Sequence, residues 1–278
     1  MSLLVVALVL GAALLHATWN AVLRSGGDRL WSITVMSMVS GAAALPFALL
    51  LARPAMASWP YIGLSAALQI GYCLFLVRAY RDGELAQVYP IARGVSPLLV
   101  TLGAALVAGE RLAPADLAGI ALVCGGIVSL AFGRTRPGLH STLAALATGG
   151  FIAAYTLTDG VGARASGNAP AYAAWLFVTQ GAPMPLVFMA IRGRLKISPR
   201  DPETHKAVLG GVLSMAAYGV VVWALTMGPM GQVSALRETS VLFAAVIGAV
   251  FLKERLTVGR LIAAAMIAAG AFLLSVGR

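Results

Sequence analysis

The sequence predicts an all-α integral membrane protein with ten transmembrane helices, arranged as two inverted five-helix repeats. Hydrophobic residues make up 60% of the 278 residues and charged residues only 11%, against about 45–50% and about 25% in soluble domains. Apolar runs close to the roughly 20 residues needed to cross a bilayer recur along the whole chain. The second half also echoes the first in order and spacing.

Ten segments read as spans: 3–23, 30–52, 59–80, 85–108, 116–133, 141–163, 170–191, 206–227, 230–252 and 258–277. Most connections are short and hold turn or charged residues, as in Arg24-Ser25-Gly26-Gly27-Asp28-Arg29 and Arg81-Asp82-Gly83-Glu84. The longest polar stretch, Arg192 to Lys206, is too short for a soluble domain. The first segment lacks the Lys/Arg-rich start of a signal peptide and has an internal counterpart at 141–163, so it reads as a span. Pro183 and Pro185 interrupt the seventh segment, and Pro90 and Pro97 flank Arg93 in the fourth. Proline removes a backbone donor, so each site is a candidate kink.

The repeat places 1–134 against 140–278. Glu110-Arg111-Leu112 recurs as Glu254-Arg255-Leu256, and that offset gives nine identities in 25 positions between 110–134 and 254–278. Gln87-Val88 matches Gln232-Val233, Gly83 matches Gly228, and Pro46 matches Pro185. His16-Ala17-Thr18-Trp19-Asn20 sits opposite Tyr155-Thr156-Leu157-Thr158-Asp159. Five spans per half is an odd number, so the second half enters the membrane reversed. Such inverted repeats are a common transporter architecture, with substrate held near the midplane where the halves meet.

The net charge of +10 does not point to nucleic acid, because the basic residues lie almost entirely between apolar runs, with no aromatics interleaved for base stacking. Cys73 and Cys124 fall inside apolar runs, far from metal-site spacing, and read as small buried residues.

At this point the sequence resembles the drug/metabolite transporter superfamily, in its ten-helix EamA-like branch. The resemblance spans the chain and rests on Gln87-Val88-Tyr89-Pro90 through Gly109-Glu110-Arg111-Leu112 and on its echo from Gln232 to Leu256, where Lys253 replaces the glycine. The string His16 to Asn20 is similar to a subgroup associated with phosphonate utilisation. The resemblance implies a gradient-driven carrier in the bacterial inner membrane, most often an exporter of amino acids or similar metabolites. The expected function is secondary active transport of a small acidic or zwitterionic metabolite, with an aminophosphonate carrier as the alternative.

Ionisable groups at membrane depth are costly and mark function or pairing. Arg93 lies about nine residues into the fourth segment, and Arg237 and Glu238 lie at the corresponding depth of the ninth. Two guanidiniums facing a shared cavity would hold a carboxylate or phosphonate by charge-assisted bonds. The alternative is that Glu238 only pins the arginines together, and the two roles are compatible. His16, Trp19, Asn20 and Leu23 share one helix face by their three- and four-residue spacing. Gln69, Tyr72, Tyr80, Tyr89, Tyr218 and Trp223 are further cavity candidates, whereas Trp31, Trp59, Tyr61 and Tyr172 read as interfacial. Glu238, Asp159 and His16 are the proton-coupling candidates. Glu238 is the best placed, and Asp159 sits close enough to its helix end to be interfacial. Small-residue strings such as Gly119 to Gly126 and Ala263 to Gly270 suit close helix packing.

The chain has no G-x-x-x-x-G-K-[ST], H-E-x-x-H or G-x-S-x-G motif. An enzyme is not expected, and an intramembrane enzyme or a non-transporting scaffold are the rival classes. No cofactor or metal is expected. The partners expected are a small-molecule substrate, the lipid bilayer and protons, in a monomer or homodimer. Fourteen of the twenty Lys and Arg lie in the connections after odd-numbered spans, and four lie in the even connections and at the C-terminus. The positive-inside rule then puts both termini in the periplasm, whereas the resemblance implies cytoplasmic termini.

Overall fold

The computed structural model describes residues 1–24, 27–82, 85–131, 138–251 and 257–276, and their side chains except those of 21–24, 76–82, 85–88 and 248–251. Among the described residues there is no strand. The helices are α1 (Leu3–Arg24), α2 (Arg29–Leu50), α3 (Trp59–Asp82), α4 (Leu85–Val107), α5 (Pro114–Ser129), α6 (Leu139–Ser166), α7 (Ala169–Gly181), α8 (Met184–Arg192), α9 (Pro202–Met227), α10 (Met230–Arg237), α11 (Ser240–Phe251) and α12 (Val258–Val276). By length and composition, α7 with α8 makes a single apolar span. The α10–α11 pair likewise occupies the ninth predicted segment, so among the described residues twelve α-helices fill the ten predicted segments. The expectations for Tyr80 and Leu23, and for the Glu254-Arg255-Leu256 and Gly277-Arg278 anchors, fall outside the described residues or side chains.

Local sequence sets the helix ends. Asp28, Asn168 and Asp201 each accept a bond from a backbone N–H of the first turn, at Trp31, Ala171 and Glu203. The turn between α6 and α7 is closed by Gly167 at φ 65, in the left-handed region that glycine enters without a Cβ clash. The α7–α8 break falls at Ala182–Pro183, beside the prolines expected to interrupt this span. The α10–α11 break falls at Glu238–Thr239, with no proline or glycine nearby. There the backbone tightens to three-residue bonds, Thr239 N–H to Leu236 C=O at 3.1 Å and Leu242 N–H to Thr239 C=O at 2.8 Å.

Helix neighbours obey the repeat. Residue pairing makes α6 the counterpart of α1, α7–α8 of α2, α9 of α3, α10–α11 of α4, and α12 of α5. α1 packs on α9 as α6 packs on α3, and α4 packs on α6 as α10 and α11 pack on α1. α2 meets its own counterpart α7, and α5 meets α12. Both of these contacts are glycine-mediated. A Cβ at Gly270 would lie 2.6 Å from the Gly119 carbonyl oxygen, and one at Gly181 would collide with the Ser37 carbonyl oxygen. Backbone meets backbone with no side chain between, the usual means of close packing where lipid supplies no hydrophobic drive.

Candidate functional site

The helices enclose a cavity of about 130 Å³, room for about ten waters or a ligand of similar heavy-atom count. Its wall is built from α1 (His16, Trp19, Asn20), α3 (Gln69, Tyr72), α4 (Tyr89, Arg93) and α9 (Tyr218), with Tyr155, Phe177, Gln180 and serines of α2 and α9 completing it. These residues lie at mid-helix or in the halves of their helices toward the connections after odd-numbered spans. The opposite end of the bundle is tied shut. There Arg164 pairs with Glu110 at 2.6 Å and donates to the Leu225 and Gly228 carbonyls at 2.9 and 2.8 Å. Glu110 also accepts the Met230 amide at 2.9 Å, so the ends of α4, α6, α9 and α10 meet in one polar knot.

Arg93 is the cation in the cavity wall. Its Nε sits 2.6 Å from Glu238 Oε2, its Nη2 donates to Ser240 Oγ at 3.1 Å, and the guanidinium lies 5.7 Å from the Tyr89 ring centroid, within cation–π range. Glu238 is wholly buried, and its other oxygen accepts from Arg237 Nη2 and Nε at 3.1 and 3.2 Å. Arg237 is also fully buried and reaches Thr156 Oγ1 of α6 at 3.4 Å. One carboxylate therefore bridges two guanidiniums from opposite repeats, and the three groups carry a net charge of +1.

One helical turn beyond Thr156, Asp159 is completely buried. It accepts from Tyr218 Oη at 2.5 Å, from Tyr172 Oη at 3.1 Å and from Gln69 Nε2 at 3.5 Å. All three donors are neutral. Two of them, Gln69 and Tyr218, also line the cavity. His16 and Trp19 meet edge to face at 5.6 Å, and neither His16 Nδ1 nor Trp19 Nε1 has a hydrogen-bond partner among the described residues.

The fold, the reversed halves and a polar cavity at their junction agree with one recognised family. The profile of the EamA-like transporter family matches residues 3–132 and 140–276, one match per half. The chain belongs to the EamA-like transporter family. It is a multi-pass membrane transporter, and among the described residues seven apolar helical stretches meet the length and composition of a spanning helix, with α5 a shorter one. A solved crystal structure superposes with a TM-score of 0.79 at 20% identity, covering 98% of each chain. That likeness concerns the fold. No curated protein matches this chain.

Within this EamA-like fold several expected positions differ. Arg237 does not share the cavity wall with Arg93; it stands one layer behind, because Glu238 and Thr156 hold it inward. Glu238 likewise lies behind Arg93 rather than on the cavity surface. Trp223 packs against the hydrophobic core instead of the cavity. Asp159 is completely buried inside the bundle, seven residues before the end of α6, and Tyr172, expected at an interface, is buried as its hydrogen-bond donor. Tyr155 was not among the candidates, although the repeat pairs it with His16, and it stacks edge to face on both Tyr72 and Tyr218. Gln180 carries no sequence signal of its own.

Proposed function

We propose that this EamA-like protein is a secondary active transporter that exports a small acidic or zwitterionic metabolite, such as an amino acid, across a bacterial inner membrane. The observation carrying the reading is Arg93, a guanidinium held in the cavity wall at membrane depth, amid amides and aromatic faces. A substrate acid group would bind Arg93 in competition with Glu238, by charge-assisted bonds. A substrate amine would rest against Trp19, Tyr72 or Tyr218 by cation–π contact. Glu238 and Arg237 act as the support that aims Arg93. His16, Asn20, Gln69 and Tyr89 supply the remaining polar contacts, with Trp223 behind them.

The positive-inside rule supports the direction. It sets the basic connections in the cytoplasm and the termini in the periplasm. In that orientation the cavity lies toward the cytoplasmic side and the Arg164–Glu110 knot closes the periplasmic side, the arrangement in which cargo for export would enter from the cytoplasm. The test is counterflow in proteoliposomes with labelled L-serine, L-glutamate, 2-aminoethylphosphonate and putrescine. At least one of the first three should exchange, and Arg93→Gln should weaken that exchange more than tenfold without loss of folded protein. Exchange of putrescine alone would refute the anion site. A catalytic product formed from any probe would favour an enzyme instead.

A further inference from the structure

A carboxylate wholly buried in a membrane bundle without a paired cation needs another way to offset its desolvation. Asp159 is in that position, whereas Glu238 is not. Both Glu238 oxygens face guanidiniums, at 2.6 Å from Arg93 and 3.1 Å from Arg237. Protonating Glu238 would leave two buried arginines facing each other without a counter-charge. Among the described residues the donors to Asp159 are neutral: the phenols of Tyr218 and Tyr172, the amide of Gln69 and the hydroxyl of Ser65, which also accepts from that amide at 3.1 Å. Protonating Asp159 removes a charge without stranding one.

The groups around Asp159 fit a proton site. From α7 comes Tyr172, from α9 Tyr218, and from α3 the neutral Gln69 and Ser65, with Tyr72 farther along. α6 itself supplies Tyr155, stacked on Tyr218 at 5.9 Å. α10 turns Arg237 toward α6 at Thr156, α4 carries Arg93 on the cavity wall, and His16 of α1 stands in the same wall. Arg237 is held by Glu238 and Thr156 rather than by Asp159. Tyr218 both lines the cavity and donates to Asp159 Oδ2, so it joins the carboxyl to the cavity.

We propose that Asp159 is the proton-binding site of the transport cycle, loaded from the cavity through the Tyr218 hydroxyl. This rests on the transporter reading above. In the loading step a hydronium ion in the cavity gives a proton to the Tyr218 hydroxyl as that hydroxyl passes its own proton to Asp159 Oδ2, leaving a neutral water. The carboxylate becomes a neutral carboxyl and the phenol is restored. Unloading reverses the step. The repeat gives this site to one half only, because the counterpart of Asp159 is Asn20, which cannot titrate and donates instead to the His16 carbonyl at 2.7 Å.

Infrared difference spectra of the full chain in phosphatidylethanolamine–phosphatidylglycerol vesicles, titrated with pH in potassium buffer, test the site without any substrate. The expected result is a protonated-carboxyl C=O band that titrates, vanishes in Asp159→Asn, shifts to higher frequency in Tyr218→Phe and persists in Glu238→Gln. In the same vesicles, the ratio of pH-gradient-driven uptake to counterflow of the amino acid and 2-aminoethylphosphonate probes should fall at least tenfold in Asp159→Asn. A titrating band retained in Asp159→Asn, or lost only in Glu238→Gln, overturns the assignment. So does a carboxyl band that answers to sodium ions and not to pH. Failure of the transport reading looks different, since wild type would then show no counterflow of any probe while the band still reports on Asp159.

Discussion

Glu238→Gln should be the most destabilising single change at membrane depth. The carboxylate has zero exposure and lies 2.6 Å from Arg93 and 3.1 Å from Arg237. At an effective dielectric of about 20, each ion pair at a charge separation near 4 Å is worth about 4 kcal/mol. Two such pairs, less a desolvation cost of several kcal/mol for Glu238, leave a net loss of about 3–5 kcal/mol when the shared partner is neutralised. The variant also leaves two like charges facing each other. At about 2–4 °C per kcal/mol for a chain of this size, melting should fall by about 6–20 °C. Arg237→Gln keeps the Arg93–Glu238 pair and should lose about half as much. Thermal melts of detergent-purified protein, followed by tryptophan fluorescence and by recovery of monodisperse protein, give both values. A Glu238→Gln melt within 2 °C of wild type, or an Arg237→Gln loss exceeding that of Glu238→Gln, would refute the bridge as a stabilising element.

The polar knot should act as a closure. Arg164→Gln removes a partly exposed pair worth about 1 kcal/mol, so labelling of a Met230→Cys reporter by an impermeant maleimide should rise about fivefold; unchanged labelling would show the seal lies elsewhere. Gly270→Leu forces α12 away from α5 and should cost about 1–3 kcal/mol of stability, read as a lower melting temperature, and an unaltered melt would contradict the backbone contact at Gly119. An alkaline phosphatase fused after Arg278 should be active in the periplasm, and an inactive but expressed fusion would reverse the orientation.

Most of the architecture was legible from apolar run length, because a span must be apolar throughout whatever its neighbours are. The seventh-span break was legible because proline acts locally. The ninth-span break was not, since nothing in Leu236-Arg237-Glu238-Thr239 forbids a helix and the carboxylate's contact with Arg93 is tertiary. For the site, sequence position conveys depth along a helix but not rotation about it. Arg93 and Arg237 match in depth, yet adjacent residues of a helix point about 100° apart, so Arg237 and Glu238 cannot both face the same space. The burial of Asp159 was not legible for a different reason: its phenol and amide donors come from α3, α7 and α9, which no local pattern brings together. α6 runs from Leu139 to Ser166, two residues before its predicted start and three past its predicted end. Tyr155 was within reach of the repeat alone, as the counterpart of His16.

The bridge between the repeats also constrains how the chain is made. Glu238 follows Arg93 by 145 residues, so at about 5–20 residues per second its carboxylate leaves the ribosome about 7–30 s after the arginine it neutralises. Arg237 is spared this wait, since its counter-charge is the next residue. During that interval α4 carries an unpaired guanidinium eight residues, or about 12 Å, from its start at Leu85. An arginine at such a depth costs roughly 2.5–3.5 kcal/mol on insertion scales. A fourth span inserted ahead of the ninth bears that cost in full until Glu238 arrives. Synthesis of the second half is therefore the stage during which Arg93 lacks its carboxylate, and a chain truncated before Glu238 never gains it.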